Sequence, residues 1–437
     1  MSVLRFPPNI QWELTSECNH DCIHCYNYWR KDFEKIAGMP TAKSEDEYLA
    51  IARKIIEQKP VSVILTGGEP LYAFDKIKSS ILLLKNEGIV VTFNTNAVLL
   101  NDAICEFLKQ YHISLFVSLP CAEPDVCDLI TNTKGSFIRI VKGLDLAFNY
   151  GIKFSNNIVV SKKNIDYVDM TVRFLKERYD AKYVSITRVS KPINSDESFN
   201  SWLLGEDGIK KLQDISVMVH DKYQIEVGTA CPYTPCSIYT QDAFDLFGFK
   251  KLCTAGKTSY TIDTNGNIKA CPRDSRLYGN ILTEDFAEIW ERMSEWRNTT
   301  FIPDDCKQCK ELPRCLGGCR VDSIPLSGRS DALDLISNPS NLPIKFKTHD
   351  AVRNFEDMSF LFDKDSIRSV RDNDFYRISK GRNYIMATDE LYDFLFSHSS
   401  FSFDDVRNMF GIDSKTANMI IGRLLSNDII HKNEERR

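Results

Sequence analysis

From residue 10 to about residue 220, short apolar runs rich in β-branched residues alternate with segments whose apolar positions recur at helical spacing. The runs predict strands at 10–15, 61–66, 89–94, 113–119, 153–160 and 182–187. Between the first two, Ser44-Glu45-Asp46-Glu47 reads as a capping box. Apolar Leu49, Ala52, Ile55 and Ile56 follow it, and Pro60 stops the helix. Asp75 precedes Ile77, Ile81 and Leu84 on one helical face, with Gly88 as the C-terminal stop. Asn101, Ser136 and Asn164 open similar segments. The strands are apolar without clean alternation, as in a parallel sheet covered on both faces. Six such β-α units predict either a barrel-like sheet or a doubly wound one. In both, ligands collect at the C-terminal ends of the strands.

Beyond this region the pattern changes. Residues 226–330 are rich in Cys, Gly and Pro and poor in long periodic segments, which points to a unit organised by metal rather than by its own core. The stretch 327–343 has linker chemistry. The boundaries read as 1–225, 226–330, a linker at 331–345, and a third unit at 346–437. In that unit, strand-like runs around 358–364 and 375–379 precede helices at 389–397, 402–410 and 413–425. The closing Asn-Asp-Ile-Ile-His-Lys reads as a wing strand.

Composition narrows the class. The 437 residues are 43% hydrophobic and 26% charged, with a formal net charge of −5. That charge argues against a general nucleic-acid binder. No signal peptide opens the chain and no run is apolar enough to span a bilayer, so a soluble, cytoplasmic protein is expected. In that compartment, 14 cysteines point to metal rather than disulfides.

The cysteines are unevenly placed. Cys18, Cys22 and Cys25 stand in C-x3-C-x2-C spacing directly after the first strand. A [4Fe–4S] cubane held by three thiolates keeps one iron open to an outside ligand, such as an amine and carboxylate that chelate together. The loop Gly67-Gly68-Glu69-Pro70 follows the second strand on the same rim. Its glycines permit close backbone approach, its carboxylate accepts from an ammonium group, and its proline fixes the turn. A zinc site or buried thiols are the plain alternative.

The cysteine loop with Tyr26 after one strand and Gly-Gly-Glu-Pro after the next resembles the radical S-adenosylmethionine superfamily, over about residues 9–220. The resemblance implies a partial (β/α)6, TIM-like barrel. It also implies a cluster whose open iron is chelated by S-adenosylmethionine, and reductive cleavage of that cofactor to a 5′-deoxyadenosyl radical that abstracts a substrate hydrogen. Carried over, Tyr26 lies by the adenine, Gly67, Gly68, Glu69 and Pro70 hold the methionyl amine, and Ser118 lies near the ribose.

Cys253, Gly266, Cys271, Cys306, Cys309, Cys315 and Cys319 are similar to the SPASM extension of that superfamily, which implies two auxiliary [4Fe–4S] clusters. Cys253, Cys271 and Cys319 would serve the first, and Cys306, Cys309 and Cys315 the second. A zinc ribbon is the alternative. The family's further cysteine after the C-x3-C pair is absent here. The fourth ligands are then an open iron, a carboxylate such as Asp322, or Cys231 and Cys236 recruited from upstream. The arginine that related enzymes carry before the helix following strand four is also missing, and residues 128–134 offer only Lys134. His20 and His24 read as loop residues, Cys105 as core, and Cys121 and Cys127 as structural. Asp274 stands near a position where related sulfatase-maturing enzymes place a proton acceptor, offset by two residues.

By this resemblance the function is maturation of a ribosomal precursor peptide by crosslinking, thioether formation, oxidation or epimerisation. The partners are a leader-bearing peptide and an electron donor such as a flavodoxin or ferredoxin. The alternatives are formylglycine generation on sulfatases, a small-molecule dehydrogenase, or an iron–sulfur regulator that binds DNA. The last is disfavoured because the second helix of the helix-turn-helix offers only Lys415 and Arg423. The third unit instead resembles PqqD-like domains, which take an extended leader as an added strand.

Overall fold

The six apolar runs form β1 (Asn9–Thr15), β2 (Ser62–Gly67), β3 (Val90–Thr95), β4 (Ser114–Ser118), β5 (Phe154–Val160) and β6 (Tyr183–Arg188). A computed structural model describes residues 4–27, 43–298, 300–341, 346 and 354–433. Each of the six strands pairs in parallel with the next. The order therefore runs without a reversal, whereas a doubly wound sheet turns back at a switch point. Of the two topologies that the pattern predicts, the partial (β/α)6 barrel is the one present. A short β7 (Glu226–Gly228) continues the sheet beyond β6. At the other edge β8 (Ser259–Ile262) runs parallel to β1, and β9 (Ile268–Lys269) pairs antiparallel with β8.

Local signals set the helices. Ser44 caps helix Glu45–Glu57 with both halves of a capping box, and Tyr48, Ile51, Ala52 and Ile55 are its buried face. Asn101 caps Asp102–Gln110. Ser136 is the first residue of Ser136–Asn149 rather than its cap; the Asp128 carboxylate takes the Ser136 and Phe137 N–H groups instead.

One apolar core serves the barrel and the cysteine-rich region together, with Tyr260, Ile262, Trp290 and Met293 packed in the same cluster as Ile10, Trp12 and Leu14. The segment with linker chemistry is in part core. Ile336 is buried, and Asp334 accepts the Cys319 N–H at 3.0 Å. Residues 342–345 lie outside the described residues.

The C-terminal region has its own core around Phe360, Ile378, Phe394, Val406 and Ile421. Its strands are β10 (Ser359–Leu361), β11 (Arg368–Asp372), β12 (Phe375–Lys380), β13 (Asn383–Ala387), β14 (Ser400–Ser402) and β15 (His431–Lys432). β11, β12 and β13 form one antiparallel sheet, while β14 and β15 flank β10 in another. Helices Asp389–Ser397, Phe403–Phe410 and Ser414–Ser426 cover them, capped by Thr388, Ser402 and Asp413. This unit docks on the end of the barrel where strands begin. Buried Arg377 donates to the carbonyls of Phe6 and Lys59. Arg5 and Phe6 N–H donate to the Asp372 carboxylate at 2.8 and 3.3 Å. Arg382 reaches Ser114 Oγ at 3.3 Å.

Candidate active site

The opposite end of the barrel carries the chemistry. The Cys18–Cys25 loop leaves β1 and is fastened to the C-terminal end of helix Pro124–Thr131: Asp21 N–H donates to Thr131 O at 3.1 Å and Ile23 N–H to Ile130 O at 3.0 Å. Its three thiols are half-buried. Beside it lies the Gly67–Pro70 loop. Gly68 N–H donates to Thr15 O at 2.6 Å and Glu69 N–H to Glu17 O at 2.7 Å, so the two loops form one platform. Gly67 has φ of +127°, and a Cβ there would fall on the Thr15 carbonyl. A Cβ on Gly68 would fall on the Glu17 carbonyl. The close backbone approach these glycines permit is thus to the segment that delivers Cys18.

Glu69 is buried and acts as a strut. Its carboxylate accepts from Leu71 N–H at 3.2 Å, Thr95 Oγ at 2.5 Å and Asn96 N–H at 2.8 Å, tying the loops after β2 and β3 together. Burial pushes its carboxyl up to about 7, against the pull of those three donors. Pro70 opens the helical turn Pro70–Ala73 that Glu69 caps. The Tyr26 hydroxyl lies 3.1 Å from Thr66 Oγ, which also accepts from Asn94. Ser118 ends β4 beside Asn157 of β5, whose side-chain Oδ1 accepts from Thr187 Oγ1 at 3.0 Å.

Three thiols on one loop, with a polar barrel mouth of Thr66, Asn94, Ser118 and Asn157 behind them, fit a cubane whose fourth iron takes a small polar chelator. Among the described residues, no three Cys, His, Asp or Glu side chains close around a point where one ion would sit. A four-iron cubane spreads its thiolates wider than a single zinc does.

Several residues on this rim have no motif in the sequence. Asn96 donates to Asn19 Oδ1 at 2.6 Å and its amide lies 4.0 Å from Cys18 Sγ, besides binding Glu69. Its only signal is a polar Asn-Thr-Asn end to an apolar strand. Glu13, a charge within an apolar run, is fully buried and pairs with Lys269 of β9 at 2.9 and 3.1 Å. Burial pushes its carboxyl up to about 8 against the pull of Lys269.

The other residues named from the sequence are spread between this rim, the barrel core and the cysteine-rich region. Asp274 is buried and its carboxylate holds Arg276 Nε at 2.9 Å, with the guanidinium packed over Trp296 and Phe301. Lys134 is exposed. Asp322 has one oxygen 2.5 Å from Arg188 and the other 2.6 Å from Arg273. Cys105, Cys121 and Cys127 are buried in the barrel core. His20 is buried with its N–H 3.5 Å from Cys18 Sγ, and His24 lies on the same loop. Arg273 Nη1 stands 3.8 Å from Cys319 Sγ. Cys306, Cys309 and Cys315 line a single cavity.

Comparison with known proteins agrees with this geometry. Residues 12–175 match the radical SAM superfamily and residues 253–310 the SPASM iron–sulfur cluster-binding domain. The mycofactocin maturase MftC of Mycolicibacterium smegmatis is 26% identical over 343 residues, covering 74% of this chain and 81% of its own length. An AdoMet-dependent heme synthase of Methanosarcina barkeri is 24% identical over 339 residues, covering 74% of this chain and 93% of its own. The crystal structure of Streptococcus suis SuiB bound to precursor peptide SuiA shares the fold, with a TM-score of 0.59 and 19% identity over 78% of this chain and 77% of that one. Among the described residues, no helix is long and apolar enough to cross a membrane. With a three-thiol loop and a glycine platform on one barrel rim and both domains matched, the chain belongs to the radical SAM superfamily and is an enzyme whose cofactors are S-adenosylmethionine, a [4Fe–4S] cluster and auxiliary iron–sulfur clusters.

Proposed function

We propose that this enzyme matures a ribosomally made precursor peptide. The observation that carries the reading is the C-terminal unit, a three-stranded antiparallel sheet backed by three helices on a core separate from the barrel's. The outer edges of β11 and β13 have no partner strand among the described residues, and such an edge accepts an extended leader as an added strand. Two relatives support it: MftC is a maturase by name, and SuiB is seen with its precursor peptide.

When bound, S-adenosylmethionine supplies the radical that removes a hydrogen atom from the peptide. This chain's residues do the rest. The Cys18–Cys25 loop holds the cluster at the rim, and the Gly67–Glu69 backbone with the Glu69 carboxylate takes the cofactor's amine. Tyr26 and Ser118 border its adenine and ribose, and a reduced flavodoxin or ferredoxin supplies the electron.

A second reading follows from the heme synthase relative, with a tetrapyrrole in place of the peptide. That relative is covered over 93% of its length while the rest of this chain lies outside the match, which favours a role for the additional residues here. Co-expression with peptides encoded by short neighbouring reading frames, followed by mass spectrometry, separates the two. A peptide product that disappears when Cys18, Cys22 and Cys25 are all replaced by Ala supports maturation. Unaltered peptides together with a modified porphyrin would establish the second reading.

A further inference from the structure

The six cysteines of the SPASM region leave each auxiliary cubane one thiolate short, and no cysteine follows Cys319. The segment Cys231-Pro232-Tyr233-Thr234-Pro235-Cys236 lies between β7 and helix Gln241–Phe247 and reaches both groups. At its start, Ala230 N–H donates to Thr187 Oγ at 2.9 Å, holding Cys231 beside the end of β6 and its last residue, Arg188. From Arg188 an unbroken line of contacts runs to Cys319: Arg188 to Asp322 at 2.5 Å, Asp322 to Arg273 at 2.6 Å, and Arg273 to the Cys319 sulfur at 3.8 Å. Cys271 stands two residues before Arg273, and Cys253 and Cys271 pack against the same core that holds Cys319.

At the other end of the segment, Cys236 lines the same cavity as Cys306, Cys309 and Cys315. The segment is held in place between the two. Two prolines fix its backbone, buried Tyr233 stacks on Phe247 at 4.7 Å, and Ser237 N–H closes a turn onto Thr234 O at 2.9 Å.

Each cysteine group also keeps a buried cation with N–H groups to spare. Arg188 Nε is buried with no hydrogen-bond acceptor among the described residues, and so are Arg320 Nε and Nη2, the latter beside Gly317 in the lining of the Cys306 cavity. Buried donors of this kind cost stability unless something accepts from them. Cluster sulfides and thiolates are acceptors at both places. Asp322 is not a free ligand, because each of its oxygens is held by an arginine.

We propose that Cys231 completes a first auxiliary cluster with Cys253, Cys271 and Cys319, and that Cys236 completes a second with Cys306, Cys309 and Cys315. One proline-pinned segment thereby ligates both. Both clusters are closed by four thiolates, so neither offers an open iron to substrate. The five residue steps from Cys231 to Cys236 also limit their two α-carbons to about 17 Å apart.

The test uses the full chain with Cys18, Cys22 and Cys25 replaced by Ala, reconstituted anaerobically without substrate. That parent retains about eight irons, four per cubane. Into it, Cys231→Ala and Cys236→Ala are introduced singly, and the reduced proteins are followed by electron paramagnetic resonance with and without added 2-mercaptoethanol. Each variant is expected to lose or shift one signal, a different one in each case, and the added thiol is expected to restore it. Spectra identical to the parent's, or both substitutions acting on the same signal, would overturn the assignment. Where an alanine variant retains no iron, Cys231→Ser and Cys236→Ser keep an oxygen ligand in place and give the same two alternatives. Because no substrate enters the test, its outcome is separate from that of the peptide reading.

Discussion

Glu69 joins the loop that carries the glycines to the loop after β3, and its carboxyl stands at about 7 because burial opposes its ionisation more than three hydrogen bonds favour it. The amine that the open iron takes through its nitrogen lone pair is neutral, and its N–H groups donate to the ionised form. Below that pH a proton must leave Glu69 before the carboxylate can accept from the amine, and proton and amine compete. Affinity for S-adenosylmethionine is therefore predicted to weaken as pH falls through about 7, with Glu69 adding up to about tenfold per pH unit to the slope that the cofactor's own amine gives, as one-proton linkage requires. Equilibrium binding across that range reads the effect, and Glu69→Gln is predicted to bind more weakly and to flatten the profile. A slope just as steep in the glutamine variant would remove Glu69 from the role. Asn96 belongs to the same structure, since one side chain and its backbone N–H meet Asn19 and Glu69.

At the scale of elements, the barrel strands were legible because most carry a run of apolar residues, such as Ser62–Gly67 with Val63, Ile64 and Leu65, while β1 alternates Ile10, Trp12 and Leu14 with polar residues. The short strands were not. β9 has two residues, and β8 joins the sheet only by pairing with β1, some 250 positions earlier in the chain. The same separation hid the Glu13–Lys269 pair, whereas the Cys18–Cys25 loop was readable because all its ligands lie within one turn of chain. The three C-terminal helices were legible as segments at 389–397, 402–410 and 413–425, but the docking of that unit was not, since it depends on Arg377 meeting two backbone carbonyls far away in sequence. Removing residues 346–437 is predicted to leave cofactor cleavage without substrate intact and to lower peptide affinity by about tenfold or more, because main-chain pairing supplies much of such binding. Titration of a fluorescent precursor peptide against both proteins checks this. Equal affinities would exclude the unit as the docking site. Arg377→Ala provides a milder variant: losing two hydrogen bonds from a buried cation costs on the order of 2–4 kcal/mol, read as a lower unfolding midpoint in denaturant.

For the molecule as a whole, the two ends of the barrel do different work. The C-terminal unit sits where β1, β2 and β4 begin, and the cysteine and glycine loops sit where β1 and β2 end. The seven residues of β1 span about 23 Å at the usual strand rise of about 3.3 Å per residue. A peptide held at one end and modified at the other must cross at least that distance, which takes about seven or more extended residues. In the proposed function, the radical made at the rim takes hydrogen from a peptide. The direct measurement is deuterium transfer, with a precursor peptide made from deuterated amino acids, dithionite as reductant, and mass analysis of the 5′-deoxyadenosine formed. Deuterium is expected in that product, and no product at all from the variant with Cys18, Cys22 and Cys25 replaced by Ala. Abundant 5′-deoxyadenosine that carries no deuterium, beside a peptide of unchanged mass, would contradict it.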